Sequence, residues 1–394
     1  MSSFFGFIEK LFNVQLKSKN EVESDKNKSF QQIVIDNNYT LEEYTIETED
    51  KYNLQIFHIK NNEKTNSNLF KSQIPVLFIH GLLDSSDGWI CNGKACSFPF
   101  IMLNCKSIFD VWIMNCRGNK HSKLIEKASN LNKNTFWNFS FHEIGIYDIP
   151  QVITFIRGKN PNKLILFCHS TGATSVLAGL SDKIKFYQNN AMAFVFLSPL
   201  SRVNYTDSHF LVEQLENLSF FPCKEEVFPY HPDEESEEDL HFEENKNLYK
   251  NILFNSLSSN ADRIDVYLSH YPSGTSRQML EHFKQIFEKK EFSKYDYGYL
   301  MNQTLYSDYK APTYNLDNIK NVKILIYTGK DDKISNVKDV QWLKDTLNKN
   351  NVIVDYQEFE NIGHSSLLIP NNIMWFNYIL RKLYIIIDES LRKN

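Results

Sequence analysis

The stretch that most constrains this chain runs from Lys163 to Ala178: Lys163-Leu164-Ile165-Leu166-Phe167-Cys168-His169-Ser170-Thr171-Gly172-Ala173-Thr174-Ser175-Val176-Leu177-Ala178. It opens as an apolar run of strand length and turns sharply through Cys168 to Gly172. It then continues in small and aliphatic residues that suit a closely packed helix. A strand, a tight turn and a helix in this order put the hydroxyl of a serine at the tip of a strained turn, above the edge of a sheet. The positions two before and two after that serine must be small. Gly172 meets the demand, and Cys168 stands where glycine is usual. The pattern His-Ser-x-Gly arises by chance as well, so Ser170 needs partners elsewhere in the chain.

The surrounding pattern sets the fold class. Pro75–Ile79, Phe109–Met114, Leu164–Phe167, Ala193–Leu197 and Val322–Tyr327 are largely apolar runs of strand length, and Val352–Phe359 reads as the last strand. Helical stretches separate them over 146–157, after the elbow, over 339–347 and beyond Pro370. Strands that are apolar throughout and alternate with helices predict an α/β fold, with a mostly parallel sheet covered on both faces. A hairpin over 41–60 precedes them, broken at Glu49-Asp50-Lys51. The alternation stops near Pro199 and resumes at Val322. The expected division is therefore an N-terminal amphipathic segment and linker (1–30), a first core part (31–200), a helical cap or lid insertion (201–310) and a second core part (311–394).

Candidate partners for Ser170 lie at the ends of the last two strands. Thr328-Gly329-Lys330-Asp331-Asp332-Lys333-Ile334 follows one, and Glu360-Asn361-Ile362-Gly363-His364 follows the other. Ligands bind at the carboxyl edge of such sheets, so an acid and a histidine placed there can converge on the serine. Asp331 and Asp332 compete for the acid role. An apolar residue two positions on anchors such a loop, and Ile334 supplies it for Asp332. His364 would take the proton of Ser170, and the carboxylate would hold the imidazole in the right tautomer. After the first buried strand, His80-Gly81-Leu82 offers the backbone N–H of Leu82, which with that of Thr171 would form an oxyanion hole. His80 itself reads as structural.

At these residues the chain resembles the acid lipases, the family typified by gastric and lysosomal acid lipase, within the α/β-hydrolase superfamily. His80 to Trp89 resembles the family's oxyanion loop. Asp110-Val111-Trp112 with Asn115-Cys116-Arg117-Gly118-Asn119, Phe136 to Glu143 and Tyr147-Asp148-Ile149-Pro150 resemble further blocks. In the insertion, Arg263 to Ser276 and Lys294-Tyr295-Asp296-Tyr297-Gly298 do the same. The resemblance implies an α/β-hydrolase with a cap over the site, the triad Ser170, Asp332 and His364, the oxyanion donors Leu82 and Thr171, and hydrolysis of neutral lipid esters, triacylglycerol or steryl ester. The elbow departs from the family's Gly-His-Ser-Gln-Gly. The acidic stretch from Glu225 to Glu244 reads as a solvated loop without counterpart there. The alternatives are a catalytically silent relative serving as a structural or binding subunit, and an acyltransferase.

Composition excludes some partners and leaves others. A formal net charge of −5 gives no basic face for nucleic acid. The six cysteines carry no zinc-finger spacing and are expected as reduced thiols. No metal or organic cofactor is expected. The start of the chain lacks a basic n-region and no segment is apolar enough to span a bilayer, so a cytoplasmic protein is expected. Phe4, Phe7, Ile8, Leu11 and Phe12 share one face of a short N-terminal helix. Residues 1–16 are thus expected either to touch a membrane or lipid-droplet surface, or to pack on the chain's own core or on a protein partner.

Overall fold

The structure, a computed structural model, describes residues 24–62, 73–105, 108–123, 133–216, 218, 225–230, 253–254 and 258–393. The N-terminal helix expected over residues 1–16 lies outside the described residues, as does most of the acidic stretch, from Asp233 to Glu244.

Helix α1 (Phe30–Asp36) leads into the hairpin β1 (Tyr39–Glu47) and β2 (Asn53–Asn61). Strands β3 (Ile74–Ile79), β4 (Phe109–Met114), β5 (Leu164–His169), β6 (Ala191–Leu197), β7 (Ile324–Gly329) and β8 (Ile353–Phe359) follow. They form one eight-stranded sheet in the order β1-β2-β4-β3-β5-β6-β7-β8. The hairpin strands run antiparallel, and the six from β4 to β8 run parallel. The continuous apolar strands are explained by two cores. Val76 and Phe78 of β3 face one side, with Phe376, Ile379 and Leu383 of α8 (Met374–Lys393). Leu77 and Ile79 face the other, with Val152 and Ile156 of α2 (Ile149–Lys159) and Val176 and Leu177 of α3 (Thr171–Asp182). Side chains two apart share a face, so a strand that serves two cores is apolar at every position.

Several of the sequence blocks meet in one buried brace. Arg117 donates from Nε to Asp148 at 2.8 Å and from Nη1 to Asp50 at 2.6 Å. Its guanidinium lies over the Tyr52 ring, 3.7 Å from the centroid. The turn of the hairpin, the loop after β4 and the start of α2 are thus tied together beneath the carboxyl edge. A buried arginine stays charged only because two carboxylates and a ring face surround it.

Between β6 and β7 the chain leaves the sheet. The described part of this excursion carries α4 (Ala261–Leu268), α5 (Arg277–Lys289) and α6 (Tyr299–Tyr306). A short ribbon, Glu226–Val227 with Thr275–Ser276, lies beside them, and Glu226 pairs with Lys123 at 3.1 Å. After β7 comes α7 (Val337–Asn348). The described cysteines Cys91, Cys96, Cys105, Cys116 and Cys168 are buried free thiols.

Candidate active site

Ser170 ends β5 and heads α3 with φ 51° and ψ −118°. Such a conformation costs about 1–3 kcal/mol for a residue with a Cβ and persists only where the surroundings enforce it. Here the Ser170 N–H donates to the carbonyl of Leu197 on β6 at 2.9 Å. Gly172 then passes so close to β3 that a Cβ there would sit 2.7 Å from the His80 carbonyl and 2.8 Å from that of Ile79. Glycine at 172 is therefore a requirement of the turn. Cys168 is buried and packs in the core beneath it.

The partners arrive from two other strand ends. His364, in the loop after β8, receives the Ser170 hydroxyl at Nε2, 2.9 Å away. Its Nδ1 donates to the Asp332 carboxylate, 2.9 Å from Oδ2 and 3.1 Å from Oδ1. Asp332 Oδ1 also accepts from the backbone N–H groups of Ile334 at 2.9 Å and Ser335 at 2.8 Å. Asp331 is exposed and does not reach the histidine. The Ile334 register thus picks out the acid that meets the imidazole. Ser170, Asp332 and His364 are all buried. His169 supports them from the side. Its Nε2–H donates to the His364 carbonyl at 3.1 Å, and burial keeps the ring neutral by lowering its pKa to about 3.

Leu82, on the loop after β3, lines the cavity of the serine, and Thr171 follows the serine at the start of α3. Among the described residues neither backbone N–H donates to a protein acceptor. Two N–H groups left open beside a nucleophilic hydroxyl suit a developing oxyanion. Gly81 permits the approach: a Cβ there would lie 3.0 Å from both His169 Nδ1 and Ser170 Cβ. His80 is structural, as expected. Burial lowers its pKa to about 4, so the neutral ring donates from Nδ1 to the Gly81 carbonyl at 2.9 Å and accepts the Cys116 N–H at Nε2, 3.0 Å away.

The serine opens into a cavity lined mainly by apolar side chains, among them Leu200, Leu253, Tyr271, Phe283 and Ile334. Such a lining accepts hydrocarbon and excludes water. The cap also grips the histidine loop. Ser365 N–H donates to the Leu253 carbonyl at 3.0 Å, Asn260 N–H to that of Ile369 at 2.8 Å, and the Ser259 and Ser366 hydroxyls meet at 2.8 Å. Two residues of the cavity were not singled out from sequence: Asp84 and Tyr267. They are joined by a hydrogen bond from the Tyr267 hydroxyl to Asp84 Oδ2 at 2.9 Å. The signal that could have found them is the spacing of Arg263, Tyr267 and His270, which share one helical face opposite a loop carrying Asp84 and Asp87. No group of histidine, cysteine and carboxylate side chains suited to a metal ion occurs among the described residues.

A parallel sheet with a serine on a strained strand–helix turn, and a histidine and an acid at later strand ends, defines the class: an α/β-hydrolase. The alpha/beta hydrolase fold family matches residues 74–369, and the partial alpha/beta-hydrolase lipase region matches residues 30–93. Human gastric triacylglycerol lipase is 33% identical over 324 residues, 77% of each chain. Human lysosomal acid lipase/cholesteryl ester hydrolase is 30% identical over 351 residues, 82% of each chain. In fold alone, a peroxisomal α/β-hydrolase from Saccharomyces cerevisiae aligns with a TM-score of 0.53 at 11% identity, covering 91% of this chain and 89% of its own. An esterase from Rhodococcus aligns with a TM-score of 0.51 at 12% identity, covering 87% and 98%. The chain belongs to the acid lipase family of the α/β-hydrolase superfamily, and it is a carboxylic ester hydrolase with lipase or esterase function.

Proposed function

We propose that the chain is a serine lipase that hydrolyses triacylglycerols or steryl esters through an acyl-enzyme on Ser170. The observation that carries this reading is the 2.9 Å contact between His364 Nε2 and the Ser170 hydroxyl, at the floor of an apolar cavity. Ser170 Oγ attacks the ester carbonyl while His364 takes its proton. Asp332 stabilises the imidazolium that forms, and the N–H groups of Leu82 and Thr171 hold the oxyanion. Collapse breaks the bond to the alcohol oxygen, which leaves with the proton from His364. Water, deprotonated by the same imidazole, then attacks the acyl-enzyme, and the fatty acid departs as Ser170 regains its proton.

The choice of substrate rests on the names of the relatives and on the apolar lining, which suits an acyl chain and a neutral alcohol. The test is hydrolysis of emulsified trioleoylglycerol and cholesteryl oleate beside a soluble short-chain ester. Turnover of one or both emulsions supports a lipase. Turnover confined to the soluble ester makes the chain an esterase only. Residues 1–16 would bring the enzyme to a membrane or lipid-droplet surface through the Phe4, Phe7, Ile8, Leu11 and Phe12 stripe. Deleting them should then lower the rate on emulsion and spare the rate on soluble ester; equal loss of both would make the segment part of the fold.

A further inference from the structure

The block Arg263–Ser276 is prominent in the sequence, yet none of its residues takes part in the steps above. Its placement is specific. Arg263, Tyr267 and His270 follow one another at intervals of four and three, so they share one face at and just beyond α4. All three reach the loop that follows β3. Arg263 Nε donates to the Cys91 carbonyl at 2.6 Å. The Tyr267 hydroxyl donates to Asp84 Oδ2 at 2.9 Å. His270 Nδ1 meets Asp87 Oδ2 at 2.8 Å, beside the Lys120 ammonium at 2.8 Å from the same oxygen. One backbone bond completes the seam: the Ser273 N–H donates to the Leu83 carbonyl at 2.8 Å.

These contacts converge on the turn that displays the Leu82 amide. Leu83 has φ 59°, a left-handed backbone that an aliphatic residue adopts only under constraint. The closing bond of the turn, from the Asp84 N–H to the Gly81 carbonyl, is long at 3.4 Å. The turn therefore leans on outside support. Asp84 supplies it: its Oδ1 accepts the Ser85 N–H at 2.7 Å and its Oδ2 accepts from Tyr267. Gly88 packs so tightly on the same carboxyl that a Cβ there would lie 2.5 Å from Oδ2. Asp84 is thus held by one hydrogen bond from its own loop and one from the tyrosine of the cap.

We propose that Tyr267 is a positioning residue, which acts through Asp84 to hold the Gly81–Asp84 turn, and with it the Leu82 N–H, in the orientation that binds the oxyanion. The proposal rests on the reading of Ser170 as nucleophile. It gives the cap a part in the chemical step, beyond covering the site.

Tyr267→Phe removes the hydroxyl and keeps the ring that packs on Phe254 and Tyr271. On a soluble ester, kcat per titrated active site should fall by about ten-fold, with KM changed by less than about two-fold. Misplacement of a group by 1 Å costs up to about 100-fold, and loss of a whole oxyanion donor on the order of 10²–10³. The rate of phosphonylation by a fluorophosphonate should fall in parallel. Asp84→Asn keeps an acceptor for the tyrosine and should restore most of the rate that Asp84→Ala loses. Unchanged kcat per titrated site in Tyr267→Phe overturns the proposal, whatever happens to the melting temperature. Equal rates in Asp84→Asn and Asp84→Ala overturn it too. Failure of the underlying reading looks different: the wild type would then show no labelling of Ser170 at all.

Discussion

The two backbone N–H groups proposed as oxyanion donors are displayed by turns built in opposite ways. The elbow that carries Thr171 is held from within the sheet. Ser170 bonds to Leu197 on the neighbouring strand, and Gly172 lies against the carbonyls of Ile79 and His80. The loop that carries Leu82 is held from outside, by Tyr267, His270 and Ser273 of the insertion. A turn enforced by backbone packing has one conformation as long as the sheet is folded. A turn enforced by side chains of another segment can be loosened with the sheet intact. The contrast separates what depends on the core from what depends on the cap.

The largest effect belongs to the elbow. Ser170→Ala should lower kcat on any ester by on the order of 10⁶, the loss seen when a serine nucleophile is removed. Near-normal turnover by the purified variant would remove the serine from the mechanism. The acid comes next. Asp332→Asn should cost about 10⁴ in kcat, because the amide no longer fixes the tautomer of His364. Asp331→Asn, at an exposed position, should stay within about two-fold on the same assay. Reversed phenotypes would place the acid one residue earlier and undo the geometry given for the loop.

Stability then distinguishes the two turns. Gly172→Ala pushes a methyl group onto two backbone carbonyls and should lower the free energy of unfolding by about 1–3 kcal/mol in urea titrations. Tyr267→Phe removes a single hydrogen bond and should cost only about 0.5–1.5 kcal/mol. A Gly172→Ala protein as stable as wild type would show that the elbow is not enforced by close packing.

One further effect is common to both turns. Each contains a buried neutral imidazole, His80 in the loop and His169 in the elbow, and His282 of α5 is a third. Burial lowers these pKa values to about 4, 3 and 3. Unfolded histidines take up protons below about pH 6.5. From there down to about pH 4 the unfolded chain binds more protons at these sites, so their contribution to stability falls as the pH falls. The slope is about 1 kcal/mol per pH unit for each imidazole. Asp84 opposes it. Burial raises its pKa to about 7, and its contribution falls as the pH rises from about 4 to about 7. Three imidazoles outweigh one carboxyl, so these groups should lower the urea midpoint between pH 6.5 and 4.5. In Asp84→Asn the opposing carboxyl is gone and the decline should be steeper. The same slope in wild type and variant would mean that Asp84 does not titrate as its burial demands.

The same division governs what could be read from the sequence. Apolar strands, the small residues of the elbow and the spacing of Asp332 and Ile334 are local patterns, and backbone geometry converts them into positions. The strained turn at Ser170 and its convergence with Asp332 and His364 were legible for that reason. Strand and helix limits shifted by a few residues where the ends are polar: the strand expected over Val322–Tyr327 runs from Ile324 to Gly329. The helix expected from Ile146 begins as a wide turn over Ile144–Asp148 and becomes regular only at Ile149. The Tyr267–Asp84 contact was less legible: the spacing of Arg263, Tyr267 and His270 marks a helical face but not what that face meets. Nothing local pairs a tyrosine of the insertion with an acid two residues beyond Leu82. Arg117 with Asp50 and Asp148 is a similar case, visible as conspicuous blocks whose shared purpose appears only once they are packed together.

The role of Ser170 as nucleophile of an ester hydrolase underlies every prediction of activity above. Its most direct test is reaction of the folded full-length protein with a fluorophosphonate, followed by peptide mass spectrometry. A stable adduct on the peptide containing Ser170, complete loss of esterase activity at one adduct per chain, and no adduct in Ser170→Ala are expected. Ester hydrolysis by wild type without an adduct on Ser170, or equal labelling of wild type and Ser170→Ala, would contradict it.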